Sequence, residues 1–397
     1  MPLENSFIPY GAYWTTPFAR WQGSLAGEHA MKLAARVANA ALQERQIAPT
    51  AFDALTFGIS VPQSSCFYGA PWMASMIGAP QITGPTIAQA CATSARMLSS
   101  AALEVETGQR ECVLTLACDR TSNGPHVYYP DPAAPGGTGR HENPVLDNFS
   151  KDPNTRQAMI QTAENVAAEA GITRQEQEAV TLLRHEQYEA ALAGERAFQK
   201  RYMVPVELMK GRKVVGTLEG DEGVFPTTAE GLAKLRPVLE EGSVTFGSQT
   251  HPADANAGLV VCSRERAREL SKDDGVTISI LGFGETRVEP AHMPKAVVPA
   301  ARHALQRAGI DIGQCAAVKT HNPFAVNDVY FCREMDLAAD SVNRFGSPLI
   351  YGHPQAPMGL RVVMELIEEL ASSGGGYGLF SGCAAGDTAM AVVIRVD

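Results

Sequence analysis

Apolar residues recur at helical spacing between His29 and Gln46, with Leu33, Val37, Ala40 and Ala41 on one face. The short apolar run from Phe52 to Ile59 that follows reads as a strand. The same pair of patterns returns late in the chain. Pro294 to Gly309 is helical, with Pro299 marking a kink or a late start, and Cys315 to His321 repeats the strand. The register is shared: Ala41-Leu42-Gln43 recurs as Ala304-Leu305-Gln306, and Ile47 as Ile310, each 263 positions on. Carried forward, that spacing sets His321 where Gly58 ends the first strand and Cys91 opposite Pro354, beside His353. It also sets Cys112–Ala117 opposite Gly375–Phe380, just before Cys383. Two similar α/β halves follow, and if they pack about a pseudo-twofold axis, Cys91 and the His353 corner face each other at its centre.

Between the halves the pattern changes. Pro130 to Gly137 is a loop, and Arg156–Ala170 and Gln175–Ala193 are helical by periodicity and by their Ala, Glu and Gln content. Thr227 with Glu230 three residues on offers a capping box to another helix, and Ser243–Gly247 returns the chain to a core strand that Ala257–Cys262 continues. The expected organisation is an N-terminal half at 1–118, an inserted loop domain at 119–245, a return to the first half at 246–265 and a C-terminal half at 266–397.

Composition narrows the class. A chain of 397 residues, 45% hydrophobic and 19% charged, has the profile of a globular protein of more than one lobe. The net charge of −10 argues against nucleic acid and against an anionic membrane surface as partners. No apolar run has the length of a membrane helix and the first residues lack the features of a signal peptide, so a cytoplasmic location is expected. The eight cysteines are scattered without a CxxC pair, which indicates neither a zinc site nor a disulfide framework. Most are expected to be small buried hydrophobes.

Three positions stand out from that background. Cys91, in Ala90-Cys91-Ala92-Thr93-Ser94-Ala95, sits at a strand end and opens a helix of small residues, where backbone N–H groups and the helix dipole favour a thiolate. His353 in Gly352-His353-Pro354 and Cys383 in Gly382-Cys383-Ala384-Ala385-Gly386 lie in glycine-rich corners that allow close backbone approach. A histidine on the facing repeat supplies the base that a cysteine nucleophile requires.

These motifs together resemble the Cys/His/Cys set of the thiolases, and the resemblance covers nearly the whole chain. Thr162-Ala163-Glu164-Asn165, Gly171 to Gln177, Val204-Pro205-Val206, Asp221-Glu222 and Leu232 to Pro237 also match thiolase patterns in order. The second cysteine selects the thiolase branch among condensing enzymes. The fold implied is a duplicated, layered αβαβα architecture with an inserted loop domain. The activity implied is CoA-dependent cleavage of a 3-oxoacyl-CoA, or the reverse Claisen condensation, through a Cys91 acyl-enzyme. In that family scheme His353 accepts the Cys91 proton and Cys383 exchanges a proton with the enolate carbon. His321 in His321-Asn322-Pro323-Phe324 stands where the family holds a water, and the backbone N–H groups of Cys91 and Ala385 receive the second oxyanion.

The same resemblance implies CoA as co-substrate, no permanently bound cofactor or metal, and a homodimer or tetramer. A small zinc-ribbon and OB-fold accessory subunit, as in some sterol-carrier-like and archaeal relatives, is a further possible partner. Substrate or CoA contacts are expected at Thr250, Phe225, Phe324 and Gly352, with Phe225 standing where many relatives carry arginine. The departures favour a large, branched, carboxylated or aromatic acyl group, as in the aromatic-degradation branch. Phe67, Tyr68, Trp72, His126, Tyr128, Tyr129 and Tyr351 are candidates to line such a site, and Lys210, Arg212 and Lys213 to meet phosphates. The competing reading is a non-catalytic, thiolase-like subunit that binds acyl-CoA or serves as a scaffold. It draws on the substitutions at Phe225, His251, His321 and Ala385.

Overall fold

The computed structural model describes residues 2–397. Eleven of its fifteen strands join into one sheet whose main path runs Cys315–His321, Gly376–Ala384, Thr388–Val396, Ile278–Arg287, Phe7–Ile8, Ala253–Cys262, Cys112–Arg120, Ala54–Gly58 and Thr86–Ile87; the other four form two hairpins. The two halves meet at the two-residue strand Phe7–Ile8, which pairs antiparallel with both Ala253–Cys262 and Ile278–Arg287.

Strand alternation explains the layering. In Cys112–Arg120, Leu114 and Leu116 pack with Leu33 and Val37 of the outer helix Ala30–Glu44, whereas Val113 and Ala117 face the opposite way. In Thr388–Val396, Ala391 and Val393 pack with Val297, Ala301 and Leu305 of the helix Val297–Ala308, while Val392 and Ile394 turn to the middle. Between the two strand layers lie Thr93–Glu106 and Met358–Ser372, sharing one core through Met97, Leu98, Leu360 and Val363. Every residue from Met358 to Leu370 is buried, as a helix covered on all sides requires. The result is the expected α/β architecture, in the order helix, sheet, helix, sheet, helix.

The halves repeat a topology. Ala54–Gly58 pairs in parallel with Cys112–Arg120, as Cys315–His321 does with Gly376–Ala384. Gly58 lies opposite Ala117 and His321 opposite Gly382, so the 263-residue spacing holds at the first strand and has grown by two at the second. The extra residues fall before the buried central helix, in the turn that carries His353.

Several local readings are corrected. The intervening helices are Met159–Glu169 and Arg174–Ala191, the latter started by a capping box between Thr173 and Glu176. The cap near residue 228 is Thr228, whose hydroxyl accepts the Gly231 N–H, because the Thr227 hydroxyl is taken by His185 and the Phe225 carbonyl. Ser243–Gly247 is not a strand: Ser248 Oγ and the Glu164 carboxylate accept its backbone N–H groups, and the core strand begins at Ala253. A 3-10 turn at Met293–Ala296 precedes Val297–Ala308, so Pro299 lies in the first turn, where its missing N–H costs nothing.

Two buried ion pairs tie the intervening segment to the second half. Arg184 Nε meets Asp328 at 2.7 Å, and Arg361 forms a bidentate pair with Asp221 at 2.6 and 2.8 Å. No described helix is long and apolar enough to cross a membrane.

Candidate active site

The Cys91 corner is a tight turn between Thr86–Ile87 and Thr93–Glu106. Ala90 is forced to φ +44°, and Thr93 holds the turn by accepting the Gln89 N–H at 2.8 Å and donating to the Ala90 carbonyl at 2.7 Å. Cys91 is thereby presented at the helix start, only 7% exposed.

The facing turn needs glycine at one position. Gly352 has φ +99°, and a Cβ there would lie 2.8 Å from His251 Nε2. With Gly352 in place, the His353 N–H donates to the His251 carbonyl at 2.8 Å and Nε2 of His353 lies 2.9 Å from Cys91 Sγ. Cys383 emerges from the end of Gly376–Ala384, fully buried, with Asn327 Nδ2 donating to its sulfur at 3.3 Å. The backbone N–H groups of Ala385 and of Cys91 itself point at the Cys91 sulfur. His321 lies beside His353, ring centres 4.3 Å apart and planes inclined at 48°, and neither of its ring nitrogens has a partner among the described residues. Its turn is pinned by Asn322, which donates to Asp328 at 2.7 Å and to Ser347 at 2.9 Å.

Electrostatics differ from the reading of a helix-activated thiolate. Burial pushes the Cys91 thiol up to about 12 against the opposing pull of the two N–H groups, and lowers His353 to about 3. Burial and the neighbouring His353 hold His321 well below the usual histidine range, and burial raises Cys383 well above the usual thiol range. The site thus holds a neutral thiol beside a neutral imidazole. Each charge alone is disfavoured, but moving the proton from Sγ to Nε2 creates opposite charges in contact, where they attract most strongly. Cys91, His321 and His353 also set one sulfur and two nitrogens within 4.8 Å of one another, a spacing that would suit a soft metal. Those are the same atoms the thiol–imidazole pair uses.

A cavity of about 400 Å³ opens onto Cys91, His353 and Ala385. Thr250 and Phe324 line it, and Thr250 is fixed by donating its hydroxyl to the Pro348 carbonyl at 2.5 Å. Phe225 does not reach it: with His251 it lines an adjacent cavity of about 390 Å³ that shares Gln249. None of the seven aromatic candidates named from sequence lines the Cys91 cavity, whose aromatic wall is Trp21, Phe149 and Phe324. Phe67 and Tyr68 are exposed, and Tyr351 is buried against Arg361 and Glu365. Lys210, Arg212 and Lys213 sit on an exposed hairpin away from both cavities.

Sequence reasoning missed Asn327, Gln355 and Asp119. Gln355 lies two residues past His353, and its Oε1 lies 3.4 Å from Cys91 Sγ. The Asp119 carboxylate accepts the Ala356 N–H at 2.8 Å, a contact across 237 residues that no local pattern announces.

This pairing of two cysteines and two histidines at the junction of duplicated α/β halves defines a class. Residues 12–265 match the family model of the thiolase N-terminal domain and residues 276–396 that of the thiolase C-terminal domain. The chain belongs to the thiolase family and is an acyltransferase. It is similar to a beta-ketoadipyl-CoA thiolase of Pseudomonas aeruginosa, 31% identical over 400 residues with 96% of each chain covered. It is also similar to the human mitochondrial 3-ketoacyl-CoA thiolase, 28% identical over 389 residues, again with 96% of each covered. Among solved structures, that human enzyme in complex with CoA superposes with a TM-score of 0.91 at 26% identity, covering 100% of this chain and 99% of the other. A Bacillus anthracis acetyl-CoA acetyltransferase gives 0.91 at 27% identity, covering 100% of both chains.

Proposed function

We propose that this protein cleaves a 3-oxoacyl-CoA with CoA, or runs the reverse condensation, through an acyl group carried on Cys91. The observation that carries this reading is the 2.9 Å contact between His353 Nε2 and Cys91 Sγ at the floor of the cavity. In cleavage, the Cys91 proton passes to His353 as Sγ bonds to the 3-oxo carbon, and the alkoxide that forms lies against the N–H groups of Cys91 and Ala385. The bond between carbons 2 and 3 then breaks, its electron pair going to carbon 2 of the departing thioester. His353 and His321 stabilise that enolate, and the Cys383 thiol protonates it. A CoA thiol next attacks the acyl-Cys91 carbonyl and gives its proton to Cys383; the bond to Cys91 Sγ breaks, Cys91 takes back the proton held by His353, and the shortened acyl-CoA leaves. Thr250 and Phe324 sit along the approach to Cys91, and Phe225 with His251 would meet the outer part of CoA in the adjacent cavity.

The acyl group we propose is large and uncharged. Among the described residues, apart from His353, held neutral by burial, no titratable basic or acidic side chain other than Cys91 lines the cavity, and its walls are chiefly apolar. A carboxylate buried there without a cation would cost several kcal/mol, which favours branched or aromatic groups over carboxylated ones. A non-catalytic scaffold accounts for neither the thiol–imidazole contact nor the cavity that reaches it.

The test is mass spectrometry of the Cys91 peptide after mixing the enzyme with a panel of 3-oxoacyl-CoAs in the absence of free CoA. An acyl adduct on Cys91, lost in Cys91→Ala, is expected. No adduct with any member of the panel, or one on another residue, overturns the reading.

A further inference from the structure

Gln355 is an unusual group to find beside a buried nucleophile in an apolar cavity. It is 4% exposed, it lines the cavity, and its backbone is held at φ +64°, in the left-handed region that a residue with a side chain seldom adopts. The surrounding structure enforces it. The following Ala356 N–H donates to Asp119 at 2.8 Å, and Ser94 Oγ to the Ala356 carbonyl. One end of the carboxamide is occupied, with Oε1 3.4 Å from Cys91 Sγ. The other end is not: among the described residues Nε2 donates to no protein group, and Gln355 lines the cavity.

We propose that Gln355 determines specificity, its Nε2 donating to an uncharged oxygen on one of the first carbons beyond the reacting carbonyl of the acyl chain. Sulfur is the atom the acyl group is bonded to, so a carboxamide whose Oε1 lies 3.4 Å from that sulfur brings its donor end to the carbons nearest the thioester. A buried donor left unpaired by a plain hydrocarbon chain disfavours that chain, whereas an ether, hydroxyl or keto oxygen at the right carbon satisfies it. The inference rests on the acyl-enzyme reading above and names the class of acyl group it serves.

The experiment compares kcat/KM for a straight-chain 3-oxoacyl-CoA with that for the same chain carrying an ether oxygen in place of the methylene two carbons beyond the 3-oxo group. The unmodified enzyme should favour the ether by about tenfold or more. Gln355→Leu, which keeps the volume and removes the donor, should abolish that ratio, as should Gln355→Met, which also lacks a donor. A wild-type ratio near one, or a ratio unchanged in both variants, overturns the proposal; so does an equal loss on both substrates, which would mark Gln355 as a support for the thiol alone. If the straight chain acylates Cys91 normally and only the ether preference is missing, this inference falls and the thiolase reading stands. If neither substrate acylates Cys91, both fall.

Discussion

Replacing Asp119 by Asn should slow the enzyme while leaving it as stable or more so. Asp119 is 1% exposed, and its oxygens accept the Ser60 N–H at 3.0 and 3.2 Å, the Ser60 hydroxyl at 2.5 Å, and the Val61 and Ala356 N–H groups at 2.8 Å each. Burial nevertheless raises its carboxyl to about 7. The folded protein therefore holds this proton more tightly than the unfolded chain, and stability falls as pH rises from the ordinary carboxyl range to about 7. A shift of about three units corresponds to roughly 4 kcal/mol against the folded carboxylate at pH 8. Asparagine removes that penalty but turns an N–H₂ group toward at least one backbone N–H, which costs about 1 to 3 kcal/mol. The net is a gain of roughly 1 to 3 kcal/mol, or a few degrees in Tm for a chain of this length.

Activity should move the other way. Ala356 follows Gln355 and lies three residues from His353, so loss of its anchor lets the imidazole drift, and a misplacement on the order of 1 Å costs about a hundredfold in kcat. Wild-type kcat should also fall as pH drops through about 7, an inflection absent from Asp119→Asn. Calorimetry at pH 5 and pH 8 with a kcat profile across that range reads all of this. A variant that retains kcat within threefold, or that loses Tm and kcat together, refutes the reasoning.

Arg361→Met should cost about 3 to 5 kcal/mol, roughly 4 to 6 °C in Tm, because it strands Asp221 as an unpaired buried charge; the double variant with Asp221→Asn should recover part of the loss, and a single-variant Tm within a degree of wild type would contradict this. Alkylation of Cys91 by iodoacetamide should be nearly independent of pH between 5 and 9, since His353, lowered to about 3, is free to take the proton throughout that range. In His353→Ala the rate at pH 7 should drop and then climb about tenfold per pH unit. A wild-type rate that climbs in the same way would mean that His353 does not accept the proton.

Much of the fold was legible because it is written in short-range periodicity. The helix ending at Glu44 and its counterpart at 297–308 carry their apolar faces at helical spacing, and the parallel strands Ala54–Gly58 and Cys112–Arg120 are chiefly apolar and buried on both faces. The duplication was visible in those same elements, and it brought Cys91 to within two residues of its structural counterpart. The intervening segment was read less well. Ser243–Gly247 has a strand's composition, yet the Glu164 carboxylate claims its N–H groups from 79 residues away. The cap expected at Thr227 is Thr228 instead, because the Thr227 hydroxyl is engaged by His185, which lies on a different helix.

From the chain alone came the reactive residue types, the glycine at 352 that lets His353 turn inward, and the repeat that makes the two corners face each other, because each depends on local conformational preference or regular spacing. Tertiary structure decided what those residues experience. Burial, contributed by side chains from every layer, overrides the helix dipole at Cys91 and leaves a neutral thiol beside a neutral imidazole. Which aromatics wall the cavity, and that Gln355 and Asp119 belong to the site at all, depend on contacts between residues up to 264 positions apart, and no sequence window spans that distance.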